Sequence, residues 1–154
     1  GTWNYCKAGQ VAIFDAQLNT QRFFERFMEN IIDLVLLVDD NDTDNFISKR
    51  IIEITKFAKR VEVKNSGKSA LEYLEREQHN PDNLPEVIFL DINMPIVDGF
   101  VFLFEFEMFP DTVKNKCKIV ILSSSDNRRD IEKIVDNEHV IKFVTKPLTE
   151  GILN

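Results

Sequence analysis

Cysteine is scarce in this chain: 154 residues hold two, Cys6 and Cys117. Their spacing fits neither a zinc site nor a disulfide framework, which points to a reducing compartment. Cys117 reads as a packed or surface thiol rather than a nucleophile. A basic footprint is missing too, since no long Lys/Arg cluster occurs and the net charge is −7. Direct binding to DNA or RNA is therefore not expected. Apolar runs are all far shorter than the ~20 residues that cross a bilayer. No basic stretch followed by an apolar one opens the chain, so no secretory leader is expected and the cytoplasm is the expected location.

What is present alternates. Asp33 to Val38 reads as a strand closed by Asp39-Asp40, followed by a helix over residues 43–59. Ile47, Ile51, Ile54 and Ala58 share one face of that helix, with Asp42/Thr43 as its cap. A short strand over 61–64 leads through Ser66-Gly67 to a helix over 69–78 that turns Ala70, Leu71 and Leu74 inward. The His79-Asn80-Pro81-Asp82 stretch ends it. Glu86 to Leu90 is a strongly apolar strand delivering Asp91 to a Pro/Asp/Gly turn. Lys118 to Leu122 and Val140 to Thr145 are further strands, with a helix over 126–136 between them carrying Ile131, Ile134 and Val135 on one side. Residues 148–154 leave room for only one or two helical turns. Five strands alternating with helices predict a parallel sheet covered on both faces, a three-layer α/β sandwich.

One segment conflicts with itself. Phe100, Phe102, Phe104, Phe106 and Met108 alternate with a period of two, a strand pattern. A strand there would leave no crossover between Asp91 and the Lys118 strand, so topology requires a helix. Five phenylalanines in so short a stretch exceed what one buried helix face needs, and some are expected at a contact surface. Before the first strand, residues 1–32 form an extension to the main domain at 33–154. Val11-Ala12-Ile13-Phe14 could pair as a short strand. Phe23, Phe24, Phe27, Met28 and Ile31 follow helical spacing over 17–31. Met28 also opens a plausible domain start.

In an open α/β sheet, chemistry gathers at the carboxyl ends of the strands. Asp39, Asp40, Asp91, Ser123 and Lys146 all lie at or just past such ends and are expected to converge. Three carboxylates together repel unless a cation joins them, and an all-oxygen ligand set fits Mg²⁺, with Mn²⁺ as the alternative. Asp40 and Asp91 are the expected direct ligands, Asp39 acts through water, and the Asn93 backbone carbonyl fills a position. Lys146 supplies positive charge and Ser123 a hydroxyl, which together suit a phosphoryl group. Asp91 is the expected nucleophile.

Blander explanations exist for each residue. Asp39-Asp40 could cap the first helix, Lys146 could be a solvated lysine, and Ser124 competes with Ser123. Their coincidence at four strand ends favours the site. Asp40-x-Asp42-x-Asp44 begins like a calcium loop, but Asn45 stands where glycine is required and Ile51 where the bidentate glutamate belongs. A haloacid-dehalogenase-type phosphatase needs Asp-x-Asp and an acidic pair beyond the lysine, whereas only Glu150 follows Lys146.

From about Asp33 to Thr149 the chain resembles the receiver domain of two-component response regulators, the single-domain chemotaxis-regulator type included. The resemblance is carried by Leu37-Val38-Asp39-Asp40, Phe89-Leu90-Asp91-Ile92-Asn93-Met94-Pro95 with Asp98-Gly99, Ile119-Val120-Ile121-Leu122-Ser123, and Phe143-Val144-Thr145-Lys146-Pro147. It implies a flavodoxin-like sheet of order 2-1-3-4-5 and Mg²⁺-dependent phosphotransfer to Asp91 from a histidine kinase or a histidine phosphotransfer protein. It further implies a switch through Ser123 and Phe143, a cis Lys146-Pro147 peptide, and tuning of phosphoryl lifetime by Asn93 and Ser125. Such a protein is not an enzyme acting on other substrates. It signals to a downstream protein, and a homodimer is among the assemblies implied. The shortened last helix departs from the family: either the natural chain continues past Asn154 or the 17–31 helix covers the sheet in its place. Two other classes are a receiver-like interaction module that works without phosphorylation and a small phosphatase with an Asp nucleophile. Mg²⁺ or beryllofluoride binding separates out the first, and turnover of a phosphate ester the second.

Overall fold

The computed structural model describes residues 32–124 and 128–153. The extension with its expected strand and helix therefore lies outside the described residues. Five parallel strands form one sheet: β1 (Ile32–Val38), β2 (Ala58–Lys64), β3 (Val87–Asp91), β4 (Lys118–Ser123) and β5 (Val140–Thr145). Their spatial order is β2-β1-β3-β4-β5, as the resemblance implies. The connecting helices are α1 (Asp42–Thr55), α2 (Gly67–Glu77), α3 (Gly99–Glu107), α4 (Asp111–Lys116), α5 (Arg128–Ile134) and α6 (Glu150–Leu153).

Strand residues alternate between two cores, which makes the three layers. On one face Leu36, Val38, Ile88, Leu90, Ile119 and Ile121 pack against α2, α3, α4 and α5. On the other, Val35, Leu37, Phe89, Val120 and Leu122 pack with Ile52 of α1 and Leu153 of α6. Burial on both faces explains why β1, β3 and β4 read as unbroken apolar runs. Register sets the functional edge. Val38 pairs with Leu90, Asp91 with Leu122, and Ser123 with Thr145.

Two sequence expectations need correction at the first helix. It ends at Thr55 rather than near Lys59, because Lys56 adopts a left-handed cap with φ of 55°. Residues 58–60 then join β2, where Ala58 pairs with Ile32 and Arg60 with Leu34. Buried Phe57 marks the turn inward, its ring 6.2 Å from that of Phe89. The inward face is also different. Asn45, Ser48 and Ile52 are buried, whereas Ile47 and Ile54 are exposed. The Asn45 carboxamide, on the buried face, donates to the Asp39 carbonyl at 2.7 Å.

The Phe-rich segment is a helix. Asp98 caps it by accepting from the Val101 amide at 2.9 Å. Phe102, Leu103 and Phe106 enter the core, while Val101, Phe104 and Met108 stay outside. Core packing thus overrides the period-two pattern. Gly99 is required where it stands, since a Cβ there would come within 2.8 Å of the Ile92 Cα. α2 begins two residues before the expected start, with Ser66 as its cap. Helix α4 and a 3-10 turn over Pro81–Asn83 had no sequence expectation. α6 makes one turn, within the one or two expected.

Candidate functional site

Asp39 follows β1 directly and is buried, with one carboxylate oxygen accepting from the Asn41 amide at 2.9 Å. Asp91 is the last residue of β3 and is also buried, accepting from the Asn93 amide at 3.3 Å. Asp40 is exposed. Carboxylate oxygens of Asp39, Asp40 and Asp91 lie within 4.8 Å of one another. Lys146 follows β5, its backbone amide held by the Ser123 carbonyl at 2.8 Å and its peptide to Pro147 cis. Its Nζ stands 2.6 Å from Asp39 Oδ2, 3.1 Å from Asp44 Oδ2 and 3.5 Å from Asp91 Oδ1.

The electrostatics follow from this crowding. Burial, then the Asp39 charge, pushes the Asp91 carboxyl up to about 6, against the opposing pull of Lys146 and the Asn93 N–H. Burial alone would lower the Lys146 ammonium, but the hydrogen bonds it donates to Asp39 and Asp44, with the Asp91 and Asp39 charges, carry it above the ordinary lysine value. One cation therefore serves three carboxylates, and a hard divalent ion fits the remaining negative charge. The donor set is all oxygen, which excludes the soft-ligand metals.

The structure brings Asp39, Asp40, Asp91 and Lys146 together as expected. Asn93 contributes a backbone amide to Asp91, and its residue is exposed. Ser123 closes β4 beside Thr145, one residue past the partner of Asp91, while Ser124 lies beyond the strand and is exposed. Phe143 is half-buried in β5 and packs against the core on the α2–α5 face. Ser125 lies outside the described residues. Asp44 is the member the sequence reading missed. It was visible there only as the third acid of a rejected calcium loop. Asn41, rather than the expected Asp42/Thr43, caps α1 by accepting from the Asp44 amide at 3.0 Å, and this places Asp44 in the first turn beside Lys146. No helix among the described residues is long and apolar enough to cross a membrane.

Comparison with known proteins agrees with this fold. Residues 35–154 match the response regulator receiver domain. A two-component response regulator from Cytophaga hutchinsonii superposes with a TM-score of 0.74 at 36% identity, covering 80% of this chain and 92% of that one. The probable methanogenesis regulatory protein FilR2 of Methanothrix harundinacea is 30% identical over 116 residues, 75% of this chain and 73% of its own. The sensor histidine kinase CheAY of Helicobacter pylori contains a segment 30% identical over 117 residues, 74% of this chain and 13% of that protein. The chain belongs to the response regulator receiver domain family.

Proposed function

We propose that this protein is a phosphoacceptor that takes a phosphoryl group on Asp91 and signals through protein contacts. The observation that carries the reading is Asp91 itself: a buried carboxylate at a strand end, 3.5 Å from the Lys146 ammonium and beside two more aspartates. The donor is a phosphohistidine of a histidine kinase or a histidine phosphotransfer protein. An Asp91 carboxylate oxygen attacks phosphorus, the P–O bond forms, the P–N bond breaks, and the electron pair leaves with the imidazole. With its carboxyl near 6, Asp91 is mostly ionised above neutral pH and available as the nucleophile.

Asp39, Asp40, Asp91 and the Asn93 carbonyl are the groups that would hold Mg²⁺, or Mn²⁺ in its place. When bound, that ion neutralises the oxygens of the transferring group. Lys146 pairs with a phosphoryl oxygen, and the Ser123 hydroxyl donates to another. Drawing Ser123 toward the phosphoryl frees space for the Phe143 ring to turn inward, which carries the signal to the surface. Asn93 and Ser125 tune access of water to the acyl phosphate. The protein turns over no other substrate, binds no nucleic acid directly, and works in the cytoplasm against an unidentified downstream protein.

The test is labelling by acetyl phosphate with Mg²⁺, followed by intact mass. One phosphoryl group per chain is expected in the parent and none in Asp91→Asn. Labelling that persists in Asp91→Asn sinks the assignment, and absence of any labelling or beryllofluoride binding in the parent sinks the reading as a whole.

A further inference from the structure

The outer face of α3 has no role in that chemistry, and it is unusually apolar. Val101, Phe104 and Met108 are 40%, 65% and 65% exposed. They fall at i, i+3 and i+7, so they form one stripe along the helix. Phe102, Leu103 and Phe106 fill the core from the opposite side, and the stripe lies outside the core of the described residues. Beside it, Met108, Phe109 and Pro110 line a groove of about 280 Å³ between α2 and α3, with Glu75, Gln78 and Glu105 as its polar walls. Neither the Glu75 nor the Glu105 carboxylate has an ion-pair partner among the described residues. The neighbouring acids differ: Glu72 faces Lys68 at 3.9 Å, and Glu107 meets His139 at 2.9 Å.

We propose that this face docks a basic amphipathic helix of a partner protein. Its apolar side would cover Phe104 and Met108, and its Lys or Arg residues would pair with Glu75 and Glu105. Charge decides the occupant. A second copy would set the same two carboxylates against themselves on a chain of net charge −7, and like charges across an interface disfavour association. Apolar anchors in the centre with charges at the rim is the usual division of labour in helix-in-groove recognition.

The probe is a synthetic helix with leucine at i, i+3, i+4 and i+7 and lysine elsewhere, titrated into the full chain and followed by amide chemical shifts. Shifts centred on Val101, Phe104, Met108 and Glu75 are expected. Phe104→Ser should weaken binding about tenfold, equal to roughly 1.4 kcal/mol. Glu75→Gln with Glu105→Gln should weaken it severalfold and flatten its salt dependence, and a peptide with glutamate for lysine should not bind. Phe104 is exposed, so its variant keeps the fold, which circular dichroism verifies. Equal binding to Phe104→Ser, or shifts spread over the whole surface, overturns the proposal. So does a dimer of the parent that Phe104→Ser dissolves. A nitroxide at T20C, in a Cys6→Ser background, that broadens the α3 amides would assign the face to the chain's own first segment and likewise overturn it.

Discussion

Asp33 and Asp91 sit at opposite edges of the same sheet, and their carboxyls are displaced in opposite directions. At the amino edge, the hydrogen bond from Arg60, 2.8 Å from Asp33, holds that carboxyl below its ordinary value. Arg60 also reaches the Asp82 carbonyl at 2.6 Å, Lys116 bonds the Pro81 carbonyl, and His139 bonds Glu107 at 2.9 Å. Charge there is locally answered. At the carboxyl edge, burial and Asp39 push Asp91 up instead, and one lysine is shared among three acids. The loop after β3 adds backbone strain: Ile96 holds a φ of 68° while 97% exposed. A β-branched residue in the left-handed region costs about 1–2 kcal/mol. One edge is built to be stable. The other is left short of positive charge, which is the condition for taking up a cation.

Removing the one shared cation should give the largest effect. Lys146→Met leaves Asp39 and Asp91 buried with no counter-charge, and about 2–4 kcal/mol of stability should be lost at pH 7.5, less than for a fully buried pair because Lys146 is partly exposed. Urea melts measure it. Protonation of Asp91 relieves the repulsion, so the loss should shrink at pH 5. An equal loss at both pH values would show that Lys146 acts through packing.

The converse substitution should stabilise. The Asp91 carboxyl is near 6 in the fold, against 3.8 for its ordinary value. Between those values the folded state binds the proton more tightly than the unfolded chain, so wild-type stability falls as pH rises from about 4 to about 6. The penalty is complete above that window and absent below it. Asp91→Asn removes it, with an expected gain of up to roughly 3 kcal/mol at pH 7.5 and none at pH 4, in chelator. A gain that is the same at both pH values would contradict the electrostatic account.

Strain at the same edge is separable from charge. Asparagine tolerates the left-handed region better than isoleucine, and Ile96 has almost no contact to lose. Ile96→Asn should therefore stabilise by about 0.5–1 kcal/mol, with no pH dependence. A pH-dependent gain would mean that the loop couples to Asp91.

The sequence disclosed the two edges unequally. β1, β3 and β4 were legible because burial on both faces leaves an unbroken apolar run ending in a polar residue. Asp39 and Asp91 were legible for the same reason, since each terminates such a run, and Asp40 stands next to one; Lys146 was legible from its place after the weaker β5 strand and before Pro147. Helix rotation was not. Ile47 and Ile54 follow a clean helical period yet face outward, while Asn45, Ser48 and Ile52 face inward and Asn45 bonds the Asp39 carbonyl. The inward row mixes polar and apolar residues, and nothing in the one-dimensional spacing of the isoleucines records it. The Phe-rich helix is the mirror case: its local pattern favours a strand, and the crossover between β3 and β4, with Phe102, Leu103 and Phe106 packed in the core, makes it helical.

Asp44 was hidden by the same rotation of α1, and it gives the smallest and most discriminating test. It competes with Asp91 for Lys146, standing 3.1 Å from the ammonium where Asp91 stands at 3.5 Å. Its partly exposed pair should contribute no more than about 1 kcal/mol, so Asp44→Asn changes stability little. The consequence for the shared lysine is larger than the consequence for the fold. With one acid fewer, the Lys146 ammonium has a weaker hold at Asp44 and turns more of its charge toward Asp91. The Asp91 carboxyl should then titrate lower than in the parent, read from its carboxyl ¹³C shift in chelator, while the melting curve barely moves. Asp44→Glu, which keeps the charge, should restore the parent titration. If Asp44→Asn leaves the Asp91 titration where it was, Lys146 does not divide its charge between them, and the shortage at the carboxyl edge comes from Asp39 and burial alone.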